Sequence, residues 1–454
     1  MIDRREFLAT LAAAPAQAAA SRPNFVFILG DDLGWADTGC YGSRLHETPN
    51  IDHLAASGMR FTGAYSACPV CSPTRAAIMT GKYPARIGLT DYLPGLQPTD
   101  RPLLSVQDLD GLPLSEVTIA QALKEAGYHT FMRGKWHLGE APPQKFGFDD
   151  AAIVNGARRA AANRDQNITE ESVRFLRAAP KDRPFLLYLA FTYPHTPIVP
   201  VEPHAARFRK KLEGISLPAT RLAKERRGNT RLYQDNPDYA SVLYAMDENV
   251  GRVLAELEAQ KLADRTVVVF TSDNGGLCTH GNPEGGPTSN APLRSGKGWC
   301  YEGGIRVPLI VRAPGVTRPG STSDAPVIST DFYPTMLQLA GLPRRPAQHR
   351  DGLSFVPLLQ GKSSLGREAL YWHYPHHHGS TWAPGAALRA GEWKLIEFYE
   401  EGNAELYNLR EDLGERRNLA REAPDRTRRL REQLREWQRS VGAKMPQRNP
   451  AFKS

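Results

Sequence analysis

Four short apolar runs, spaced along the chain with helical patterns between them, restrict this sequence more than any other feature. Residues 24–29 (Asn-Phe-Val-Phe-Ile-Leu) end at Gly30, and 185–191, 266–271 and 307–311 share their β-branched and aromatic texture. Continuous apolar runs of this length read as interior strands of a parallel sheet, buried on both faces. Between the second and third runs, Tyr239, Val242, Met246, Val250, Val253 and Leu257 recur three or four apart on one helical face. Strands alternating with helices predict an α/β fold, a large mixed and mostly parallel sheet sandwiched by helices. After Pro343 the texture changes. Residues 387–390, 393–398 and 404–409 read as a small antiparallel meander, with turns at Gly391 and Gly402-Asn403. A helix from Pro424 follows, carrying Leu430, Leu434 and Trp437 on one stripe. The expected organisation is a leader over 1–20, an α/β domain over 21–345 and a smaller α+β domain over 346–454. The Gly- and Pro-rich stretch 275–304 reads as a functional loop rather than a linker.

Composition removes several classes. Of 454 residues 41% are hydrophobic and 23% charged, enough apolar surface to exclude disorder as the main state. Five cysteines are too few for a disulfide-dense scaffold. Cys40, Cys68, Cys278 and Cys300 suit disulfides outside the cell, with no pairing fixed by spacing. The net charge of +8 is concentrated: residues 202–231 hold nine basic and three acidic side chains, and 410–454 hold thirteen and seven. Such surfaces are either simply solvated or attract a polyanion. No nucleic-acid reader motif accompanies them, so no nucleic-acid partner is expected. The first residues carry Arg4-Arg5, a short apolar run from Phe7 and a small-residue Ala16-Gln17-Ala18 site. This pattern reads as a twin-arginine-like export signal, with an ordinary secretory signal as the alternative; both imply a periplasmic or extracellular protein. The apolar run is shorter than the ~20 residues of a membrane span, so no stable membrane insertion is expected.

Asp31-Asp32 follow the first run directly, and Asp273-Asn274 follow the third. Ligands of open α/β sheets bind outside the carboxyl ends of the strands. Either pair alone suits a helix cap or a turn. Together they offer three carboxylates and an amide oxygen, hard donors suited to one divalent cation, Ca²⁺ before Mg²⁺. Cys71-Ser72-Pro73-Thr74-Arg75 opens a helix that Gly81 closes. Cys71 then stands at a helix N-terminus, where backbone N–H groups favour an anion, and Arg75 lies one turn on. Alternatives for Cys71 are a buried inert thiol or a redox pair with Cys68.

The Cys-x-Pro-Thr-Arg block with Gly81 six residues on resembles the signature of the type I sulfatases, in the alkaline phosphatase superfamily. Four further blocks follow in that family's order: 134–139 (Gly-Lys-Trp-His-Leu-Gly), 194–197 (Pro-His-Thr-Pro), 272–275 (Ser-Asp-Asn-Gly) and 296–298 (Gly-Lys-Gly). Residues 405–409 (Glu-Leu-Tyr-Asn-Leu) also resemble that family's small C-terminal domain. The resemblance implies that a maturation enzyme oxidises Cys71 to formylglycine. It implies hydrolysis of an organic sulfate ester, in which a hydrated aldehyde attacks sulfur and then releases sulfate from a covalent ester. It assigns the metal to Asp31, Asp32, Asp273 and Asn274 with the modified Cys71, and the sulfate oxygens to Arg75, Lys135 and Lys297. His137 is implied as the base beside residue 71, and His195 with Lys297 as the donor to the leaving alcohol. Relatives often add a hydroxyl or amide near the sulfate; Asn155 is the candidate here.

The run 371–378 (Tyr-Trp-His-Tyr-Pro-His-His-His) suits a surface loop or a transition-metal site. It is read here as a loop reaching over the site, with His373 and His376 as contacts to a sugar ring. Export and basic surfaces point to a sulfated carbohydrate as substrate, with a small aryl sulfate second. The competing activities are a phosphonate monoester or phosphodiester hydrolase of the same superfamily, and an inactive carbohydrate-binding relative.

Overall fold

The computed structural model describes residues 22–154 and 165–452. The leader and Asn155 lie outside them. The first apolar run forms the strand Asn24–Asp31, buried along its whole length, near the middle of an eight-stranded sheet. Across the sheet the order is Ser321–Ser323, Met59–Phe61, Leu309–Arg312, Thr266–Ser272, Asn24–Asp31, Phe185–Pro194, His129–Gly134 and Asp150–Ile153. Only Leu309–Arg312 runs against the rest, antiparallel to both of its neighbours. The mixed, mostly parallel sheet expected from the alternating pattern is thus present.

Apolar side chains leave both sheet faces, so two separate cores form. Phe25, Phe27 and Leu29 pack on one side with Met79, Leu123 and Tyr333. Val26 and Ile28 pack on the other with Tyr239, Met246 and Val253 of the helix Pro237–Ala259. That helix starts where Asn236 accepts hydrogen bonds from the backbone N–H groups of Asp238 and Tyr239.

Four antiparallel strands near the C-terminus, Leu370–Tyr374, Gly385–Ala390, Trp393–Phe398 and Ala404–Asn408, pair in that order. The helix Pro424–Ser440 covers one face through Leu430 and Leu434. The other face shares a core with Tyr65, Val70, Trp299 and Tyr301. The first of these strands is an addition to the expected meander, and it corrects the loop reading for 371–374, while 375–378 continue as loop. Strand alternation turns Trp372 and Tyr374 into the shared core and His373 toward the C-terminal helix. There the His373 ring contacts the Tyr399 hydroxyl at 3.0 Å and the Lys444 carbonyl at 2.8 Å. His376 is fully buried, with Nε2 2.8 Å from the Thr90 hydroxyl. Neither histidine faces a cleft, because backbone pairing and core packing, not solvent, dictate where they point.

Candidate active site

The sheet register builds this site. Gly30 pairs with Ser272 on one side and Asp31 pairs with Pro194 on the other. Asp31-Asp32, Asp273-Asn274 and His195 therefore leave three adjacent parallel strands at one level. The next strand, His129–Gly134, delivers Lys135 and His137 beside them. Cys71 begins the helix Cys71–Thr80, whose residues are all buried and whose C-cap is Gly81 at φ 68°. Lys297 comes from the 275–304 loop, its backbone N–H donating to the Gly276 carbonyl.

The carboxylates converge. One ligand atom each of Asp31, Cys71 and Asp273 lie within 4.8 Å of one another, as do those of Asp31, Asp32 and His195. Asp273 Oδ1 accepts from the Asp32 backbone N–H at 3.1 Å. The Asn274 amide nitrogen donates to Asp32 at 2.9 Å, while its Oδ1 is buried and has no hydrogen-bond partner among the described residues. A buried amide oxygen left without a partner on a side chain beside carboxylates fits a hard cation, and the donor set is all oxygen apart from residue 71.

Three cations balance these charges. Arg75 donates to Asp273 Oδ2 through Nε at 2.9 Å and through a terminal nitrogen at 2.7 Å. Lys135 Nζ lies 2.7 and 2.8 Å from the two Asp31 oxygens, and Lys297 Nζ lies 2.8 Å from Asp32. Burial alone would raise the Asp31 carboxyl; Lys135, His195 and Arg75 hold it well below the usual range instead. Burial pushes Asp273 up to about 7 despite Arg75, with Asp31 adding repulsion. Burial opposes the charge on Lys297, but Asp32, Cys71 and Asp31 together raise it above its ordinary value, so it carries its proton.

His137 touches Cys71. Its Nδ1 lies 3.2 Å from Cys71 Sγ and its Nε2 lies 2.7 Å from the Leu93 carbonyl. A carbonyl only accepts, so Nε2 holds the ring proton and Nδ1 presents a lone pair to residue 71. Burial and Lys135 push the imidazole down to about 3, which keeps it neutral. His195 is pushed down to about 4, chiefly by burial. Its Nε2 lies 3.6 Å from Asp32.

All six sequence-read catalytic residues and all the metal candidates meet here; His373 and His376 do not. Cys68 and Cys71 are not joined: the Cys68 thiol lies 3.6 Å from the Thr90 carbonyl, and all five cysteines are free. Sequence reasoning missed the 90–95 segment. Leu93 fixes the His137 tautomer, and Asp91, Tyr92, Leu93 and His137 line a cavity of about 630 Å³ at the site. The one sequence signal there, Pro94-Gly95, is a turn signal and says nothing of a site. Within the 371–378 run sequence reasoning chose His373 and His376 rather than His378, whose ring packs edge-on against Tyr92 at 5.7 Å.

Comparison with known proteins fits this geometry. The sulfatase family profile matches residues 23–342, and the C-terminal profile of N-sulphoglucosamine sulphohydrolase matches 295–440. A sulfatase of Formosa agariphila is 31% identical, over 92% of this chain and 88% of that protein. Human N-acetylgalactosamine-6-sulfatase is 33% identical, over 76% and 68% respectively. The crystal structure of Ps i-CgsB superposes with a TM-score of 0.75 at 29% identity, covering 95% of this chain and 94% of that one. The same protein is also known in complex with k-i-k-neocarrahexaose, at 28% identity. With so much of the chain matched, and with the site already assembled from its own side chains, the protein belongs to the sulfatase family and is a sulfuric ester hydrolase.

Proposed function

We propose that this protein is an exported, metal-dependent sulfatase that removes sulfate from a carbohydrate, using a formylglycine made from Cys71 by a maturation enzyme. The observation that carries the reading is the His137 lone pair, 3.2 Å from Cys71 Sγ and held there by the Leu93 carbonyl. An unmodified thiol beside a neutral imidazole has no ready way to release a sulfuryl group. An oxidised residue 71 supplies a geminal hydroxyl pair, one to attack sulfur and one whose deprotonation expels sulfate. Asp31, Asp32, Asp273 and Asn274 would hold a divalent cation, Ca²⁺ before Mg²⁺, which would acidify the attacking hydroxyl and neutralise a sulfate oxygen.

The protein's own groups do the rest. His137 Nδ1 accepts the proton from residue 71. Arg75 holds Asp273 in place and, at the helix start, faces the same anion as the backbone N–H groups. Lys135 and Lys297 share their donors between carboxylate and sulfate oxygens. His195, with Lys297, is the donor to the leaving alcohol. The carbohydrate reading is supported by the relatives named for sugar sulfates and by the neocarrahexaose complex. Export rests on the leader, and no described helix is long and apolar enough to cross a membrane. We assign catalysis to 21–345 and the C-terminal sheet and helix to 346–454.

Mass spectrometry of the Cys71 peptide from active protein tests this directly. The expected mass change is that of thiol-to-aldehyde exchange. Cys71→Ser should leave aryl sulfate turnover near background. An intact thiol in fully active protein would defeat the reading. Comparing kcat/KM for an aryl sulfate and a phosphodiester with the same leaving group separates it from phosphodiester hydrolysis.

A further inference from the structure

A second cavity, of about 500 Å³, opens on the Lys297 side of the site. Its lining includes Arg101, Arg226, Arg227, His377, His378 and Glu400. His378 joins it to the reacting centre. Gly298, next to Lys297, lies so close to the His378 ring that an added Cβ would fall 2.1 Å from Nδ1. Only glycine fits there, and its φ of 83° also favours glycine. The Ser380 backbone N–H donates to His378 Nδ1 at 3.1 Å, so Nε2 is the ring's N–H donor.

The cavity's cations are unequally committed. Arg226 lies 2.9 Å from Glu401 and stacks on Phe398, 3.5 Å from the ring centroid. Arg101 has a solvent-exposed partner in Asp100 at 3.6 Å. Arg227 is exposed and has no ion pair within 4 Å among the described residues, its charge and that of Arg101 acting on Glu400 in the cavity wall from further off. Arg226-Arg227 are the two turn residues of the hairpin Leu222–Glu225 and Gly228–Arg231, in which Glu225 pairs with Gly228. Two-residue hairpin turns favour Asn-Gly or similar pairs, because they need positive φ. Here Arg226 takes φ 49°, a conformation that costs a residue with a Cβ about 1–2 kcal/mol. Sequences break a local rule of this kind most often at functional positions.

Resting on the carbohydrate reading above, we propose that this cavity binds a second anionic substituent, a sulfate or carboxylate, on the saccharide that carries the scissile sulfate. Arg227 and Arg101 supply the charge, and the His378 N–H holds the sugar between the two anions. The preferred substrate is therefore a polyanionic oligosaccharide rather than a singly sulfated sugar.

The experiment compares Arg227→Ala and Arg101→Ala with the unaltered enzyme on four substrates: an aryl sulfate, a monosulfated disaccharide, the same disaccharide with a second sulfate, and its uronate counterpart. Loss of a charge-assisted contact should lower kcat/KM about 10- to 100-fold, mainly through KM, on the doubly charged substrates. The aryl sulfate and monosulfated sugar should change less than about 2-fold, as removal of an exposed charge far from the bond predicts. Whichever companion group shows the arginine dependence identifies the anion. Equal losses on all four, or no loss on any, overturn the proposal. Turnover of the aryl sulfate by the unaltered enzyme reports separately on the sulfatase reading, and turnover of the monosulfated sugar on the carbohydrate reading.

Discussion

His137 and Asp32 both hold left-handed backbone, at φ 57° and φ 65°, without being glycine. Each such residue costs about 1–2 kcal/mol, and strain of this kind collects where side-chain chemistry is needed. At 137 the left-handed turn after the strand His129–Gly134 swings the ring back onto Cys71 and the Leu93 carbonyl. Replacing the ring should separate chemistry from strain. His137→Ala should lower kcat about 10²- to 10⁴-fold, the range for a lost general base. His137→Gly should be equally inactive yet more stable than His137→Ala by about 0.5–1 kcal/mol, since glycine tolerates the conformation. Thermal or urea unfolding of the two inactive proteins measures this, and an alanine variant as stable as the glycine one would remove strain from the account.

The strand Leu370–Tyr374 shows how an element assigns roles that single residues do not. Leu370, Trp372 and Tyr374 enter the core shared with Tyr65 and Trp299. Tyr371 stacks on Trp437 at 4.7 Å, and His373 sits beneath the C-terminal helix with Gln438 and Tyr399. His373→Ala should therefore cost about 1–3 kcal/mol of stability, from two lost buried hydrogen bonds, with KM unchanged. Leu434→Ala, at a fully buried position on the covering helix, should cost about 2–5 kcal/mol. A shift in KM without loss of stability in the His373 variant would restore it as a substrate contact. The sequence was readable where one signal had one cause. The runs at 24–29, 185–191 and 266–271 are apolar throughout because both of their faces are buried. Residues at their carboxyl ends meet because the sheet is parallel, which the alternation with helices announces. Residues 370–374 alternate Leu-Tyr-Trp-His-Tyr, a pattern as compatible with a ligand-binding loop as with a strand whose two faces meet different partners. Leu93 was unreadable for a different reason. It acts through its carbonyl, which every residue has.

At the scale of the whole molecule, the two sheets are tied by a buried ion cluster. Lys394 of the C-terminal sheet lies 2.9 Å from Glu302, at the end of the 275–304 loop, and 2.8 Å from Glu415, after the last strand of that sheet. All three are fully buried. Glu415 also accepts from the Glu302 backbone N–H at 2.6 Å. One ammonium facing two carboxylates leaves them unequal. Burial opposes ionisation of Glu302, but Lys394 and Arg306 hold it down to about 2. Burial, with Glu302 adding repulsion, pushes Glu415 up to about 7. The signs differ accordingly. The Glu302 contribution is complete above its ordinary pKa of 4.5 and is lost as pH falls through about 2. Glu415 binds its proton more tightly folded than unfolded, so its contribution falls as pH rises from about 4.5 through about 7. Glu415→Gln, which keeps the neutral form, should flatten the decline in unfolding free energy between pH 5 and 8 relative to the unaltered protein. Lys394→Met removes the ammonium that the two carboxylates share, leaving Glu302 with Arg306 and the Tyr65 hydroxyl, and should cost about 3–5 kcal/mol. If the cluster joins the two sheets into one cooperative unit, that loss lowers a single unfolding transition seen alike by aryl sulfate activity and by tryptophan fluorescence. Activity surviving after the fluorescence change would mean that the large sheet holds the site without the small one, and that the cluster stabilises only the C-terminal part.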